Sequence, residues 1–232
     1  MCGRYAIENL HVLGELLRQL QIEFQMDFEP NPTWNAAPSQ HLPVIVEDEG
    51  IWHLRPMQWG LIPKWTKPGE KPRVAPINAR AETLSEKPMF RSLIKRQRCL
   101  VPANGFYEWK RTGGPKQPYF IFLRDEPIML MAGLYDHAKQ VSGDPLQSYT
   151  IITGGPNVLM QEIHDRMPMI IHPDDAVFWM DRDIEEPEAL APLLQPIAAD
   201  EMEMIPVSTS VNNVRNNGPE LIEPIAEQEG LL

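Results

Sequence analysis

Proline is the residue that most constrains the fold of this chain. The sequence contains 24 prolines among 232 residues, which is about twice the usual share. Because proline lacks a backbone N–H and clashes with the preceding helical turn, it interrupts helices and central strands. The proline content therefore predicts many rigid loops, short strands and few long helices.

Strand-like segments dominate the chain, and helical segments lie around them. Residues 43–46 and 51–59 form a candidate hairpin across Glu47–Gly50. Further strands are predicted at residues 98–101, 106–110, 119–123, 128–134, 148–153 and 167–171. Helices are predicted at residues 8–23, 157–163, 173–180 and 185–194. Strand and helix do not alternate regularly, which indicates an α+β fold rather than a doubly wound α/β fold.

Length and hydropathy patterning predict one domain without a membrane anchor. No convincing linker divides the chain, so a single domain is predicted over residues 1–232, with a peripheral tail after about residue 225. The longest apolar run, residues 127–135, is too short to span a bilayer, and the chain does not start with a signal peptide. Two cysteines do not make a disulfide framework. These features favour a cytoplasmic protein.

Charge is divided unevenly along the sequence. Residues 55–116 hold 14 lysines and arginines against four acidic residues, a local net charge of +10 in a chain whose formal net charge is −11. Trp59, Trp65 and Trp109 lie in the same segment. Because cations follow phosphates and aromatic rings stack on bases, this segment is typical of a groove for single-stranded nucleic acid on an acidic body. A solvated loop beside core aromatic residues would have the same composition.

Cys2 is the position with the most distinctive chemistry. Removal of Met1 would leave an α-amine and a thiol on adjacent carbons, with ordinary pKa values of about 8 and about 8.5. The thiolate could attack an acyl carbon, as in N-terminal nucleophile hydrolases. Alternatively, the amine could condense with an aldehyde, and the thiol could then close a thiazolidine ring. An unprocessed start followed by an incidental cysteine is the third interpretation.

Three further residues carry side chains that could assist Cys2. Glu108 lies among bulky aromatic residues in Gly105–Trp109, and such surroundings suit a carboxyl to acid or base catalysis near neutral pH; a surface ion pair is its structural alternative. His164 follows a predicted helix and precedes a predicted strand, a common position for functional residues. Asn78 could orient a substrate or cap a helix. Neither metal-ligand spacing nor a glycine-rich phosphate loop occurs, so no cofactor is expected.

Seven sequence motifs occur in an order that is typical of one family. They are Met1-Cys-Gly-Arg-Tyr5, Asn35-Ala-Ala-Pro38, Trp59-Gly60, Ile77-Asn-Ala-Arg-Ala-Glu82, Gly105-Phe-Tyr-Glu-Trp109, His164-Asp-Arg-Met-Pro168 and residues 207–217. Together they closely resemble the SOS-response-associated peptidase (SRAP) family, which includes abasic-site processing proteins. The resemblance extends from residue 2 to about residue 225. It implies a single β-rich α+β domain with a barrel-like mixed-sheet core and peripheral helices.

The resemblance also implies an activity and a partner. It implies a DNA-damage response protein that binds single-stranded DNA and covalently crosslinks abasic sites. After removal of Met1, Cys2 would form a thiazolidine with the ring-opened deoxyribose aldehyde. Peptidase activity on Met1 and lyase-type activity are further implications. The protein is expected to act as a monomer without a cofactor, in the cytoplasm and on damaged DNA of the nucleoid.

Individual residues receive roles from the same resemblance. The catalytic residues it implies are Cys2 as nucleophile, Glu108 as acid and base, His164 for ring opening and Asn78 for holding the sugar or the Cys2 amine. The DNA-binding residues it implies are the arginines Arg4, Arg80 and Arg166 for phosphates, Trp65 and Trp109 for bases, and Pro38 and Thr153 as lining of the site.

Two functions of other kinds are also compatible with the residues. Met-Cys-Gly also opens glutamine amidotransferases, so Cys2 could serve a peptidase or an amidotransferase as an N-terminal nucleophile. The basic and aromatic segment could instead belong to a non-covalent reader of single-stranded or modified DNA.

Overall fold

Strands make up most of the regular structure in the computed structural model, which describes residues 2–8, 10–70, 72, 74–110, 114–141, 143 and 145–225. The strands are β1 (Tyr5–Ile7), β2 (Phe24–Met26), β3 (Thr33–Ala36), β4 (His41–Asp48), β5 (Ile51–Trp59), β6 (Asn78–Arg80), β7 (Arg98–Ala103), β8 (Gly105–Lys110), β9 (Gln117–Leu123), β10 (Met129–Ala138), β11 (Leu146–Gly154), β12 (Met167–Pro168), β13 (Ile170–Ile171) and β14 (Met202–Pro206). The α-helices are α1 (His11–Gln19), α2 (Leu93–Arg96), α3 (Ala176–Met180) and α4 (Pro187–Leu190). Short 3-10 helices cover Ala81–Thr83, Met160–Glu162, Pro173–Asp175, Ala191–Leu194, Ala199–Glu201, Thr209–Asn212 and Pro219–Ile222. This composition confirms the predicted β-rich fold with peripheral helices.

Five of these strands close into a barrel. The ring order is β4, β5, β11, β10 and β7, with β7 pairing again with β4. All pairs in the ring are antiparallel except β5 with β11, which is parallel and places Trp59 opposite Tyr149. These two rings are buried and lie 6.3 Å apart with an interplanar angle of 12°. The predicted barrel-like mixed core is confirmed, and its closing seam carries a large aromatic contact.

A second sheet, antiparallel throughout, brings the start of the chain to β8. Its strand order is β14–β9–β8–β1–β3. Tyr5 lies opposite Phe106, and the Tyr107 N–H donates a hydrogen bond of 2.9 Å to the Arg4 carbonyl oxygen. On the other side of β8, Gly105 permits the close approach of β9, because a Cβ at that position would collide with the Phe120 ring and the Ile121 carbonyl oxygen. The pairing of β1 with β8 therefore carries Cys2 to the vicinity of Glu108.

The predicted hairpin is confirmed, and the predicted helices are shorter than expected. β4 and β5 pair antiparallel, with Asp48 opposite Ile51. Residues 8–23 contain α1 at His11–Gln19, and residues 157–163 contain a single 3-10 turn. In residues 185–194, α4 gives way to a 3-10 turn at Ala191–Leu194. Pro192 accounts for that change, because it has no N–H with which to continue an α-helix.

The predicted strand at residues 167–171 is divided between two neighbours. β12 pairs with β11, whereas β13 pairs with β10, so the chain changes partner within this segment. Beyond β14 the chain folds back onto the second sheet, where Val211 and Leu221 are fully buried. The Ile225 N–H donates to the Pro206 carbonyl oxygen at 2.9 Å, so the segment that ends at Ile225 docks on the second sheet. Residues 226–232, the end of the predicted peripheral tail, lie outside the described residues.

Within the described part of the chain, no helix has the length and apolar character needed to cross a membrane.

Candidate functional site

Cys2 lies just before β1 and is fully buried. The Asn78 side-chain amide donates a hydrogen bond of 2.8 Å to the Cys2 carbonyl oxygen. Asn78 opens β6, which pairs in parallel with β11 and places Asn78 opposite Ile151. The Asn78 Oδ1 atom is buried and has no hydrogen-bond partner among the described residues. Asn78 therefore fixes the backbone of Cys2 and directs an unused acceptor into the same buried region.

The Cys2 thiol is held in its neutral form. Burial raises the pKa of the thiol well above its ordinary value, and the negative charge of Glu108 raises this pKa further. Glu108 lies in β8 and is 4% exposed. A buried neutral thiol is a poor nucleophile until a base removes its proton. The arrangement therefore suits a reaction in which a base removes the thiol proton before sulfur attacks.

His164 follows the 3-10 turn Met160–Glu162 and is half-buried. The Arg166 N–H donates to His164 Nδ1 at 3.0 Å, while Asp165 Oδ1 lies 2.9 Å from the same nitrogen. One ring nitrogen cannot accept and donate a hydrogen bond at once. The Asp165 side chain is 87% exposed. We therefore assign Nδ1 as the acceptor of the hydrogen bond from the Arg166 backbone N–H. In this assignment the hydrogen of the neutral ring is on Nε2.

Arg166 is engaged inside the protein. Its Nη1 and Nη2 atoms donate to the two carboxylate oxygens of Glu82 at 2.6 and 2.9 Å, and Nη2 also donates to the Thr153 carbonyl oxygen. Thr153 is itself buried, and its hydroxyl donates to the Ala79 carbonyl oxygen at 3.5 Å. Arg166 and Thr153, which the sequence proposes as DNA-binding residues, thus both make hydrogen bonds inside the protein.

An ion pair joins the strand of Glu108 to the turn before His164. Lys110 Nζ lies 3.5 Å from Glu162 Oε2. Because Lys110 ends β8 and Glu162 ends the 3-10 turn, this contact brings the segments of Glu108 and His164 together. Cys2, Asn78, Glu108 and His164 therefore lie on segments that are linked by hydrogen bonds, strand pairing or an ion pair.

Arg4 is half-buried and contacts the C-terminal part of the chain. Its Nη1 donates to Asn35 Oδ1 at 2.6 Å and to the Val211 carbonyl oxygen at 2.9 Å. The Asn35 amide in turn donates to the carbonyl oxygens of Val211, Asn213 and Asn216. Burial lowers the pKa of the Arg4 guanidinium from its ordinary value. Sequence reasoning did not assign a role to Asn35, although the Asn35-Ala-Ala-Pro38 motif contains it.

The remaining predicted DNA-binding residues differ in exposure. Trp65 is 55% exposed in the turn after β5, and Arg80 is exposed at the end of β6. Trp109 is half-buried, and its Nε1–H donates to Asn212 Oδ1 at 2.7 Å. Pro38 is half-buried between β3 and β4. Trp65 and Arg80 thus have the solvent access that contact with a ligand requires.

The local charge of +10 over residues 55–116 overstates the charge available to a ligand. Arg98 is buried, and its guanidinium donates to backbone carbonyl oxygens. Arg55 is paired with Asp27 and Asp48, and Arg96 is paired with Glu185. Cations that are adjacent in sequence are therefore distributed over several faces of the fold. In the described ranges, no group of three or more His, Cys, Asp and Glu side chains is arranged to hold a metal ion.

The fold and this site define a β-barrel protein whose most distinctive group is a buried cysteine near the start of the chain, beside a carboxylate and an amide. Comparison with known sequences identifies the family. The sequence profile of the SOS response associated peptidase (SRAP) family matches residues 1–214, and the chain belongs to that family. The family resemblance predicted from the seven motifs is thereby confirmed.

Named relatives extend over nearly the whole chain. Abasic site processing protein YoqW of Bacillus subtilis is 44% identical over 225 residues, which cover 96% of this chain and 99% of the relative. Abasic site processing protein YedK of Escherichia coli is 33% identical, over 97% of this chain and all of the relative. Abasic site processing protein HMCES of Xenopus tropicalis is 36% identical, over 84% of this chain and 66% of the relative.

A solved structure shares the fold. The crystal structure of a protein from Bacteroides thetaiotaomicron superposes with a TM-score of 0.85 at 26% sequence identity. The match covers 97% of this chain and all of the other chain.

Proposed function

We propose that this protein processes abasic sites in single-stranded DNA by covalent capture through Cys2. The observation that carries the proposal is the buried Cys2, whose carbonyl is held by Asn78 and whose thiol lies in the field of Glu108. The names of the bacterial and amphibian relatives support the same substrate. An aldehyde is the electrophile that a 1,2-aminothiol captures most stably, and a ring-opened abasic sugar presents one.

The proposed reaction has two bond-forming stages and needs no oxidant or metal. After removal of Met1, the Cys2 amine attacks the aldehyde carbon, and the resulting carbinolamine loses the aldehyde oxygen as water to give an imine. The Cys2 sulfur then adds to the imine carbon, and the thiol proton passes by way of a base to the imine nitrogen. One C–N bond and one C–S bond form in total, and one water molecule leaves.

Each neighbouring side chain has a defined part in these stages. Glu108 accepts the thiol proton, which is required because burial and the Glu108 charge keep the thiol neutral beforehand. Asn78 holds the Cys2 carbonyl, and its unused Oδ1 accepts a hydrogen bond from the new α-amine. His164 donates a hydrogen bond from its neutral Nε2–H to the sugar ring oxygen and stabilises the charge that develops there as the ring opens, while the proton of the C1 hydroxyl passes through solvent to that oxygen.

The remaining assignments belong to the same proposal. Arg80 contacts phosphates and Trp65 stacks on bases, since both side chains are exposed. Arg4, Arg166, Trp109, Pro38 and Thr153 complete the proposed DNA site. The protein acts as a monomer without a cofactor, in the cytoplasm and on nucleoid DNA. Removal of Met1 and a lyase-type release step are the associated activities.

The direct test uses Met1-free protein and a single-stranded oligonucleotide with one abasic site. We expect an adduct that survives denaturing electrophoresis and whose mass is the sum of both components minus one water. Cys2→Ala should abolish it. Cys99→Ala is the matched control, because Cys99 is equally buried but lies in β7. An undiminished adduct in Cys2→Ala would refute the proposal.

Two further measurements separate the alternative functions. A non-covalent reader would release all of its DNA at high salt and on denaturation. An acyl-transfer enzyme would turn over a peptide or glutamine substrate repeatedly and show a burst of product.

A further inference from the structure

We propose that Glu82 is a positioning residue that sets the orientation and tautomer of His164 through Arg166. The inference rests on the proposed function for its kinetic consequence, because His164 acts there as a hydrogen-bond donor to the opening sugar ring. Its structural content can be tested in the absence of DNA. Glu82 closes the Ile77–Glu82 motif but received no role from the sequence.

The first step is the clamp between Glu82 and Arg166. Both carboxylate oxygens of Glu82 accept hydrogen bonds from the Arg166 guanidinium, at 2.6 and 2.9 Å. Arg166 is only 9% exposed, and a bidentate pair of this kind fixes direction as well as distance. A further hydrogen bond from Nη2 to the Thr153 carbonyl oxygen ties the same guanidinium to β11. Two separate parts of the fold therefore hold the Arg166 side chain.

The second step leads from Arg166 to His164. The Arg166 backbone N–H donates to His164 Nδ1 at 3.0 Å. Because the side chain of Arg166 is held, this N–H keeps its direction and the ring hydrogen is kept on Nε2. Asp165 Oδ1 lies 2.9 Å from the same Nδ1 and favours the opposite arrangement, with hydrogen on Nδ1. The clamp between Glu82 and Arg166 therefore favours the hydrogen bond from the Arg166 N–H over the one to Asp165.

The third step places the clamp in the site. Glu82 lies in the 3-10 turn Ala81–Thr83, directly after β6, the strand that Asn78 opens. One short segment thus holds the Cys2 carbonyl at its start and the His164 loop at its end. We infer that this segment sets the position of the nucleophile Cys2 relative to the hydrogen-bond donor His164.

The test of the clamp is histidine ¹⁵N NMR on protein without DNA. We compare the wild type with Glu82→Gln, and assign the His164 signals by their loss in His164→Gln. The wild type should show the Nε2–H tautomer, and Glu82→Gln should shift population toward Nδ1–H. Glu86→Gln is the matched control, because Glu86 is an exposed carboxylate a few residues along the same segment. An unchanged tautomer in Glu82→Gln would overturn the proposal.

The kinetic test measures crosslinking and binding separately. At saturating abasic DNA, Glu82→Gln should lower the single-turnover rate constant by about tenfold to a hundredfold, and Glu82→Asp, which keeps the carboxylate, should recover part of it. Because Arg166 also belongs to the proposed DNA site, DNA affinity is measured for the same variants in a Cys2→Ala background, so that rate constants are compared only where the DNA is fully bound. A changed affinity with an unchanged rate constant would overturn the positioning role. If wild type forms no adduct, the proposed function fails while the NMR result still decides the clamp.

Discussion

Cys2 and Cys99 show how two equally buried thiols differ in surroundings. Both are 0% exposed, and burial raises the pKa of each thiol. Glu108 raises the pKa of Cys2 further, whereas Cys99 lies against Gly133, where an added Cβ would approach its sulfur to 2.8 Å. Any special reactivity of Cys2 therefore comes from a neighbouring carboxylate and from its place near the start of the chain, not from exposure.

Replacing the Glu108 carboxylate should separate thiol acidity from crosslinking. In Glu108→Gln, loss of the negative charge should lower the pKa of Cys2, so a larger fraction is thiolate at a given pH and alkylation by iodoacetamide accelerates by roughly threefold to tenfold. Crosslinking should slow in the same variant, because the proton acceptor is gone. Peptide mass mapping between pH 7 and pH 10 measures the alkylation, with Cys99 as the internal reference. Slower alkylation of Cys2 would contradict the assigned sign.

At the scale of elements, Arg98 joins two helices to the barrel. From β7 its guanidinium donates to carbonyl oxygens at the ends of α2 and α3, namely those of Ile94, Lys95, Trp179 and Asp181, and to the carbonyl oxygen of Ile184 in the loop after α3. Carbonyl groups in the last turn of a helix have no partner within the helix. Burial lowers the pKa of Arg98 to about 10, so the guanidinium stays charged at neutral pH. One buried cation thus caps both helices.

Removing this cap should destabilise the protein. We expect Arg98→Met to lower the free energy of unfolding by about 3 kcal/mol or more, because several buried carbonyl oxygens lose their donor together. Urea unfolding followed by circular dichroism measures the change. Arg96→Met is the control, since Arg96 is exposed and pairs with Glu185 at the surface. Equal urea midpoints for the two variants would show that Arg98 does not act as the common cap.

At the scale of the whole molecule, folding redistributes the charge that the sequence concentrates. Arg55, Arg96 and Arg98 serve ion pairs or helix ends, whereas Arg80 is exposed on β6, the strand that Asn78 opens. Electrostatic attraction of DNA depends on cations that phosphates can reach. The proposed DNA site therefore relies on the exposed cations of the basic segment, Arg80 among them, rather than on every cation in it.

Salt dependence should reveal which cations contact DNA. In a Cys2→Ala background, Arg80→Ala should weaken binding of single-stranded DNA and lower the slope of log affinity against log salt by about one. Arg55→Ala should leave the slope unchanged, because Arg55 is paired with Asp27 and Asp48. Fluorescence anisotropy over a salt series measures both. A larger effect from Arg55 than from Arg80 would place the DNA on another face.

Local patterns predicted much of this molecule, and long-range contacts account for what they missed. The β4–β5 hairpin follows from two strand-like runs and the turn residues between them, and the structure contains it. The parallel closure of β5 on β11 joins residues far apart in sequence, which no local period encodes. The internal engagement of Arg4 and Arg166 was missed for the same reason, since residue type does not reveal burial.

The contact between Arg4 and Val211 has a consequence for biosynthesis. The two residues are separated by 207 positions, so the groups that enclose the start of the chain are translated long after Cys2. At about 5–20 residues per second, that interval is roughly 10 to 40 seconds. During it, a methionine-removing enzyme can reach the start of the nascent chain without opening a folded protein. The contact between Arg4 and Val211 can form only after the last segment is translated, so this contact does not hold the start of the chain while Met1 is removed in the proposed chemistry.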